Sequence, residues 1–487
     1  MSNRLFVITL VILLLSFNAY PIYQLFTTGG YLFYTNAFDE TSYLQYDFSQ
    51  QVQNISYVAQ YIVTLAHNIG LSGGWINFIF DIISLLAFII IIRGVLKQLG
   101  FDDKRANLSS FLIMALPLLF GGLNSVVNKL FFYSLSSGLI NWITIPEASF
   151  LPIVRSPEPQ LSLVVLSLSV YFSLKYKSFI PVYLCIPFLY PFIRVPFTFI
   201  VLSVHLRTKI PLMAKYALVP PLVSFTVLSS IFMVYFNFYV DNNLKESLVN
   251  SHYPLLSFTS SLALLSYLIS YKGIPENLRY VVLMIALSPM VAANHQIVSG
   301  WIAQPSNFEQ NFGIYCIVIV LILSIHDIAF QTLAGILALM LLLISAYKNF
   351  DYNYNQNSRL VLDNKMITEL KTDSANVAVN DVGLASLLSM MFPRQPSSMF
   401  GYEKILPGQG KKNIAGYLCA KKDIFKDRQL KDRFNNVFKT LDHAYKFGNK
   451  DFILLHIGRK ETFKVENNIE LIPDNCPPAN LHYFIVN

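Results

Sequence analysis

The strongest constraint on this chain is a succession of apolar runs, each close to the length a helix needs to cross a bilayer. The hydrocarbon core is about 30 Å thick and a helix rises about 1.5 Å per residue, so about 20 residues are required. Inside hydrocarbon no water satisfies the backbone. Continuous apolar runs, as opposed to alternating ones, therefore select helices. Such runs lie near residues 5–26, 75–96, 108–124, 160–174, 179–193, 195–206, 211–237, 254–271, 280–300, 312–326 and 328–347. They predict a mainly α fold, a polytopic transmembrane helical bundle of about 11 spans.

Charge divides the chain where the runs stop. Residues 1–347 hold 16 Lys/Arg and 13 Asp/Glu, whereas residues 348–487 hold 20 and 15. A soluble domain carries roughly a quarter charged residues; the second stretch meets that norm and the first falls far below it. Residues 1–347 thus read as a transmembrane module and 348–487 as a soluble domain. Within the latter, 376–381, 451–456 and 482–486 read as strands, and 384–391, 413–419 and 425–438 as helices, which predicts a small α/β fold.

The net charge of +8 raises the question of nucleic acid. The basic residues of the first module sit in short loops between apolar runs, a pattern of membrane orientation, so no nucleic-acid partner is expected. Cys185, Cys316, Cys419 and Cys476 show no CxxC spacing, which argues against a metal knuckle. Cys419 and Cys476 share the soluble domain, and either a disulfide or two free thiols is compatible with the sequence, depending on the compartment.

The first run follows Arg4 and continues through Phe17-Asn18-Ala19-Tyr20 without a small-residue cleavage site, as an uncleaved signal-anchor does. One set of loops then carries Arg4, Arg93, Lys97, Lys104, Arg105, Lys175, Lys177, Arg207, Lys209, Lys272 and Arg279; the opposite set carries Lys129, Arg155, Arg194 and Lys245. The excess of basic residues marks the cytoplasmic side. The N-terminus is expected there, in a multi-pass protein of the cytoplasmic (inner) membrane. Lys175/Lys177 and Arg207/Lys209 fall on one side, so the segment between them must cross an even number of times. Pro181, Pro187, Pro191 and Pro196 break that segment into two short helices or a re-entrant hairpin. This parity puts the C-terminal domain outside, beside the long outer loops 27–74, 125–159, 238–253 and 301–311.

Those loops hold the candidate chemistry. Asp39-Glu40 follows closely on a span, among Phe38 and Tyr43. A carboxylate partly desolvated in this way suits a general base, and a solvated loop acid is the plainer alternative. The pair is also of the kind that holds a divalent cation, although nothing in the sequence requires a cofactor. Arg155-Ser156-Pro157-Glu158-Pro159-Gln160 holds a guanidinium at the interface on a proline-stiffened approach, suited to a lipid phosphate or to anchoring a helix end. Arg194, flanked by Phe192 and Pro196, is a charge near membrane depth. Asn294-His295-Gln296, with Gln304, places amides and an imidazole at the mouth of an apolar run, where they suit sugar hydroxyls or a phosphate. There is no Walker A, GxSxG, HExxH or GxGxxG signature.

An N-terminal span, an outer loop with an early acidic pair, many further spans and a C-terminal outer domain together resemble the membrane glycosyltransferases of the GT-C type. Three stretches carry the likeness: Asp39-Glu40, the R-x-P-x-P-Q element at Arg155–Gln160, and Asn294-His295-Gln296 through Gly300 to Gln304-Pro305, where Asn307 stands in the region in which members often have a His. The resemblance implies inverting transfer of a sugar from a polyprenyl-phosphate carrier to a saccharide, lipid or protein acceptor at the outer face. Asp39 would be the general base and Glu40 its support or a cation ligand. Arg155, with Arg194 and His295, would neutralise the departing lipid phosphate. A transporter or flippase, or a polymerase or ligase of lipid-linked saccharides, shares the same face and carrier.

Overall fold

A helix that is apolar all round has no face to turn to water, and its outward side chains need a hydrocarbon environment. Helix Ile328–Asn357 shows the pattern: Leu333, Ile336, Leu337, Met340, Ile344 and Tyr347 recur at three- and four-residue steps and are all exposed. Ile83 and Ile90 on Gly73–Gln98, and Leu222 and Ile231 on Val219–Phe238, do the same. Stripes of this extent are not tolerated on a water-facing monomer.

The computed structural model describes residues 1–27, 32, 44, 57–127, 153, 157–238, 249–250, 252, 258–302, 305–324 and 328–357, with strand residues 376–379, 397–398, 444–447, 450–453 and 481–484. These residues are mainly helical. Among them, Gly73–Gln98, Val219–Phe238, Arg279–Ser299 and Gln331–Asp351 are long and apolar enough to cross a membrane, four helices in all. A fifth candidate is the pair Asn3–Phe17 and Ala19–Thr27, bent by 56°.

This is fewer than the 11 runs suggest, and several of the other described helices are short. Gln160–Tyr176 has 17 residues, Phe258–Ser270 has 13 and Ile314–Ser324 has 11. The proline-broken segment is no symmetric hairpin: a six-residue helix Ile180–Cys185 and a 3-10 turn Ile186–Phe188 lead into the 19-residue helix Pro191–Lys209. Six residues rise about 9 Å, under a third of the hydrocarbon thickness, so the first limb does not cross. Pro191 begins its helix, where its missing N–H costs nothing.

The chain divides into two compact units. The first comprises Met1–Tyr20, Asn54–Ala59 and Ile79–Tyr352, and ends near the charge break at residue 347; the second comprises Pro21–Gln53, Gln60–Phe78 and Asn353–Asn487. In the first unit, Pro191–Lys209 packs on Arg279–Ala293 and Val219–Phe238, and Phe258–Ser270 packs on Arg279–Ala293 and Ile314–Ser324. One continuous core runs through it, including Leu13, Leu85, Met114, Ile153, Tyr190, Phe199, Phe308 and Tyr315. A short antiparallel pair, Val249↔Ile302 and Asn250↔Trp301, ties two loop segments together.

A polar knot at the helix ends fixes the N-terminus. Asn107, fully buried, donates to Asn3 Oδ1 (2.9 Å) and the Met1 carbonyl (3.1 Å) and accepts from Arg93 Nε (2.5 Å). Arg93 and Lys97 also reach Asp103, at 3.1 and 2.9 Å. The Lys97 hydrogen bond and charge, and more weakly the Arg93 charge, hold the Asp103 carboxyl below its ordinary value. Cations over rings recur at such helix ends: Arg93 on Phe6, Arg105 on Phe101, Lys175 on Tyr171 and Tyr176, Arg207 on Tyr280 and Arg279 on Tyr271. All five cations belong to the basic set read as cytoplasmic.

In the second unit, strand Asn376–Val379 is flanked in parallel by Ser397–Ser398 and Leu481–Phe484, and Ala444–Phe447 pairs antiparallel with Lys450–Ile453. Three of these strands overlap the segments 376–381, 451–456 and 482–486. The helices expected at 384–391, 413–419 and 425–438 lie outside the described residues, as do Cys419 and Cys476.

Candidate functional site

Of the residues singled out from the sequence, Asp39, Glu40, Arg155 and Gln304 lie outside the described residues. Arg194, Asn294, His295 and Gln296 are described, as is the Pro157–Gln160 half of the arginine element.

Helix Arg279–Ala293 ends at Asn294, whose Nδ2 reaches back to the Met290 carbonyl at 2.7 Å. The chain then turns through Gln296–Ser299 to Gly300, which closes the turn at φ 78°, the left-handed region that glycine enters at no steric cost. This geometry drives His295 and Gln296 inward, with 2% and 0% of their surface exposed. His295 stacks on Phe232 (ring centroids 4.3 Å apart, 18°) and meets the edge of Phe308 at 6.1 Å. Its Nδ1 lies 3.0 Å from Ser299 Oγ, and Ser299 Oγ donates to the Trp301 carbonyl at 3.0 Å. A hydroxyl has one proton. With that proton committed to Trp301, Ser299 accepts from His295 Nδ1–H, and Nε2 of the neutral ring is left as an acceptor. In this tautomer the imidazole suits a hydroxyl donor better than the phosphate for which it was a candidate.

Arg194 stands in the first turn of Pro191–Lys209 and folds back over the preceding 3-10 turn. Its Nε and Nη2 donate to the Leu189 carbonyl at 3.0 and 2.7 Å, and Nη2 to the Pro187 carbonyl at 3.0 Å. The guanidinium thus satisfies carbonyls that no helix continues to pair.

The arginine element forms a buried polar hub. Glu158, Gln160 and Ser162 are fully buried, and Asp81 nearly so. Gln160 Nε2 donates to Asp81 Oδ1 (3.2 Å) and to the Ile153 carbonyl (2.9 Å). Glu158 Oε2 accepts from the Ser162 amide at 3.3 Å, near the start of helix Gln160–Tyr176, where a carboxyl is favoured. Ser162 Oγ in turn accepts the Tyr190 N–H at 2.7 Å. Tyr190 packs on Phe192, Phe192 on Phe308 and Phe308 on His295, with ring centroids 5.3, 5.0 and 6.1 Å apart. The structure therefore joins the Pro157–Gln160 and Asn294–Gln296 segments through one file of contacts.

The partnership of Asp81 with Gln160 went unread in the sequence. The available signal was an acid inside an apolar run, which needs a partner. Among the described residues no group of three or more His, Cys, Asp or Glu side chains is placed to hold a metal ion. Comparison with protein-family models, curated proteins and solved structures finds no match to this chain.

Proposed function

We propose that the protein is a membrane glycosyltransferase of the GT-C type, which moves a sugar from a polyprenyl-phosphate carrier to an acceptor hydroxyl at the outer face of the cytoplasmic membrane. The observation that carries this reading is the contact file from Gln160 through Ser162, Tyr190, Phe192 and Phe308 to His295, which brings two of the three motif segments into one core. The full reading includes a polytopic bundle, in which short helices such as Phe258–Ser270 and Ile314–Ser324 stand beside the span-capable ones, and a small α/β C-terminal domain.

In the proposed reaction the acceptor oxygen attacks the anomeric carbon as its proton passes to Asp39, supported by Glu40. The bond from that carbon to the phosphate oxygen breaks, and its electron pair stays on the lipid phosphate. A single in-line displacement inverts the anomeric centre. Arg155 supplies the charge that stabilises the departing phosphate, a preorganised electrostatic contribution of the kind that is often the largest in catalysis. Arg194, committed to the Leu189 and Pro187 carbonyls, shapes the adjoining turn.

The test is transfer of radiolabelled sugar from polyprenyl-phosphoryl donors by the purified protein in nanodiscs. Asp39→Asn should lower the rate by about 10²–10⁴-fold, the usual contribution of a general base. Full activity in that variant would remove Asp39 from its role. A second reading, transport of a lipid-linked saccharide, draws on Asp81, buried inside the span-capable helix Gly73–Gln98. Movement of the saccharide across liposomes with no glycosidic bond formed would favour it.

A further inference from the structure

We propose that Arg207 and Arg279, gathered with Tyr267, Tyr271 and Tyr280 at the ends of three helices, hold the phosphodiester headgroup of an anionic phospholipid. The proposal rests on the membrane character of the helices and goes beyond glycosyl transfer, since it concerns the side read as cytoplasmic from its basic loops.

Helices Pro191–Lys209 and Phe258–Ser270 finish here and Arg279–Ala293, which packs on both, begins here. Tyr280 reaches across to the Ser203 carbonyl at 3.5 Å, and its ring lies under Arg207, 3.9 Å from the guanidinium carbon. Arg279 lies over Tyr271 at 4.7 Å, and the Tyr271 ring is 5.8 Å from that of Tyr267. Both guanidiniums act electrostatically on the Tyr267 hydroxyl, so one tyrosine senses the two charges together.

Two like charges drawn to one place repel each other unless a counter-charge joins them. At a neighbouring set of helix ends the chain supplies its own: Arg93 and Lys97 share Asp103. Among the described residues no salt bridge reaches Arg207 or Arg279. Glu276, on the loop before Arg279, is exposed and pairs with neither. Phe101 packs against the cluster that contains Tyr267, but Asp102 beside it serves the Arg105 amide at 2.8 Å. Arg279 spends its Nε on the Ile274 carbonyl at 3.2 Å, and each guanidinium keeps further N–H groups to donate. The start of helix Arg279–Ala293 adds to the demand for an anion. Leu278 at its N-cap offers no side-chain acceptor, and its first turn holds no acid.

The charges select an anion, and the surroundings select a lipid. Leu265, Leu268 and Ile269 are exposed on one face of Phe258–Ser270, and exposed Lys272 follows on that face a turn later. An acyl chain laid along this stripe ends at Lys272, next to Tyr271 and the guanidinium that covers it. Two guanidiniums with an ammonium beside them suit a phosphodiester, whose oxygens accept from several donors at once. Basic clusters between membrane helices recruit acidic headgroups in this way. A soluble phosphate ester matches the charges but draws nothing from the apolar stripe.

The test melts the full chain in nanodiscs of phosphatidylcholine with increasing fractions of phosphatidylglycerol of the same acyl chains. The wild-type melting temperature should rise by about 3–5 °C and level off at a low fraction, as binding to the folded state requires. Arg207→Gln combined with Arg279→Gln, compared with itself in pure phosphatidylcholine, should rise by less than about 1 °C. Arg4→Gln combined with Lys104→Gln removes the same charge from the same basic set elsewhere and should keep the full rise. No rise in the wild type, or a rise that persists without Arg207 and Arg279, would overturn the site. Its loss in the Arg4 and Lys104 variant as well would reduce the effect to general surface charge and overturn it too. Glycerol phosphate added to pure phosphatidylcholine discs should change nothing; an equal rise would make the occupant a soluble ester and overturn the lipid. Native mass spectrometry of the wild type from micelles holding both phospholipids equally needs no variant. It should show about tenfold preferential retention of phosphatidylglycerol, and equal retention would overturn the proposal.

Discussion

Gln160→Leu tests whether the buried hub holds the first unit together. The substitution keeps the size of the side chain and removes Nε2, which donates to Asp81 Oδ1 and the Ile153 carbonyl. Both acceptors lie in side chains or segments shut off from water: Gln160 and Ile153 are 0% exposed and Asp81 is 3%. Each abandoned acceptor costs about 1–3 kcal/mol; remaining partners of Asp81 and the gain from burying a leucine offset part of this, for a net loss of about 3 kcal/mol. For a folded unit of this size that lowers the melting temperature by about 5–10 °C. The buried thiols of Cys185 and Cys316 provide the assay, since a thiol-reactive fluorophore labels them only as the core opens; Cys419→Ser and Cys476→Ser remove the other two thiols. Asp81→Asn keeps an acceptor oxygen and should cost about 1 kcal/mol. Asp81→Leu combined with Gln160→Leu should cost less than the two single changes added together, because both partners leave. If Gln160→Leu melts within about 1 °C of the wild type, the hub contributes nothing to the core and the contact file to His295 loses its anchor.

Gly300→Ala should destabilise by about 1–2 kcal/mol, the penalty of a Cβ in the left-handed region, and the new Cβ would also lie 3.2 Å from the His252 ring; thermal melting of the purified protein checks it. The Asp103 carboxyl, held below its ordinary value of 3.8 by Lys97 first and Arg93 second, contributes stability that is present above that value and lost as pH falls through its lowered one. Melting curves from about pH 5 down to about pH 2.5 should show a steeper fall for the wild type than for Asp103→Asn, and the difference should shrink in high salt because the group is exposed. Equal slopes would detach the effect from Asp103.

Periodicity and length brought the helical class into view because hydrocarbon leaves a backbone no alternative. They counted more spans than the described helices provide, in part because an apolar run does not show where a proline ends its helix. At 179–193 the prolines already mark the run as broken, and Pro187 and Pro191 confine its helix to Ile180–Cys185. The site was legible as motifs but not as contacts. Asn294, His295 and Gln296 are neighbours in sequence, so their clustering was visible. The Asp81–Gln160 bond joins residues far apart in the chain, an apposition that no local pattern encodes.

The cations resting on aromatic rings carry a consequence for the surrounding lipid. A lone lysine or arginine can slide along the membrane normal by rearranging its methylene chain, and so absorbs changes in bilayer thickness. Arg207 lies 3.9 Å from the centre of the Tyr280 ring, Arg105 4.1 Å from Phe101 and Arg279 4.7 Å from Tyr271. Charges held in this way define a waterline of fixed depth. Mismatch then falls on the acyl chains, which must stretch or thin around the protein.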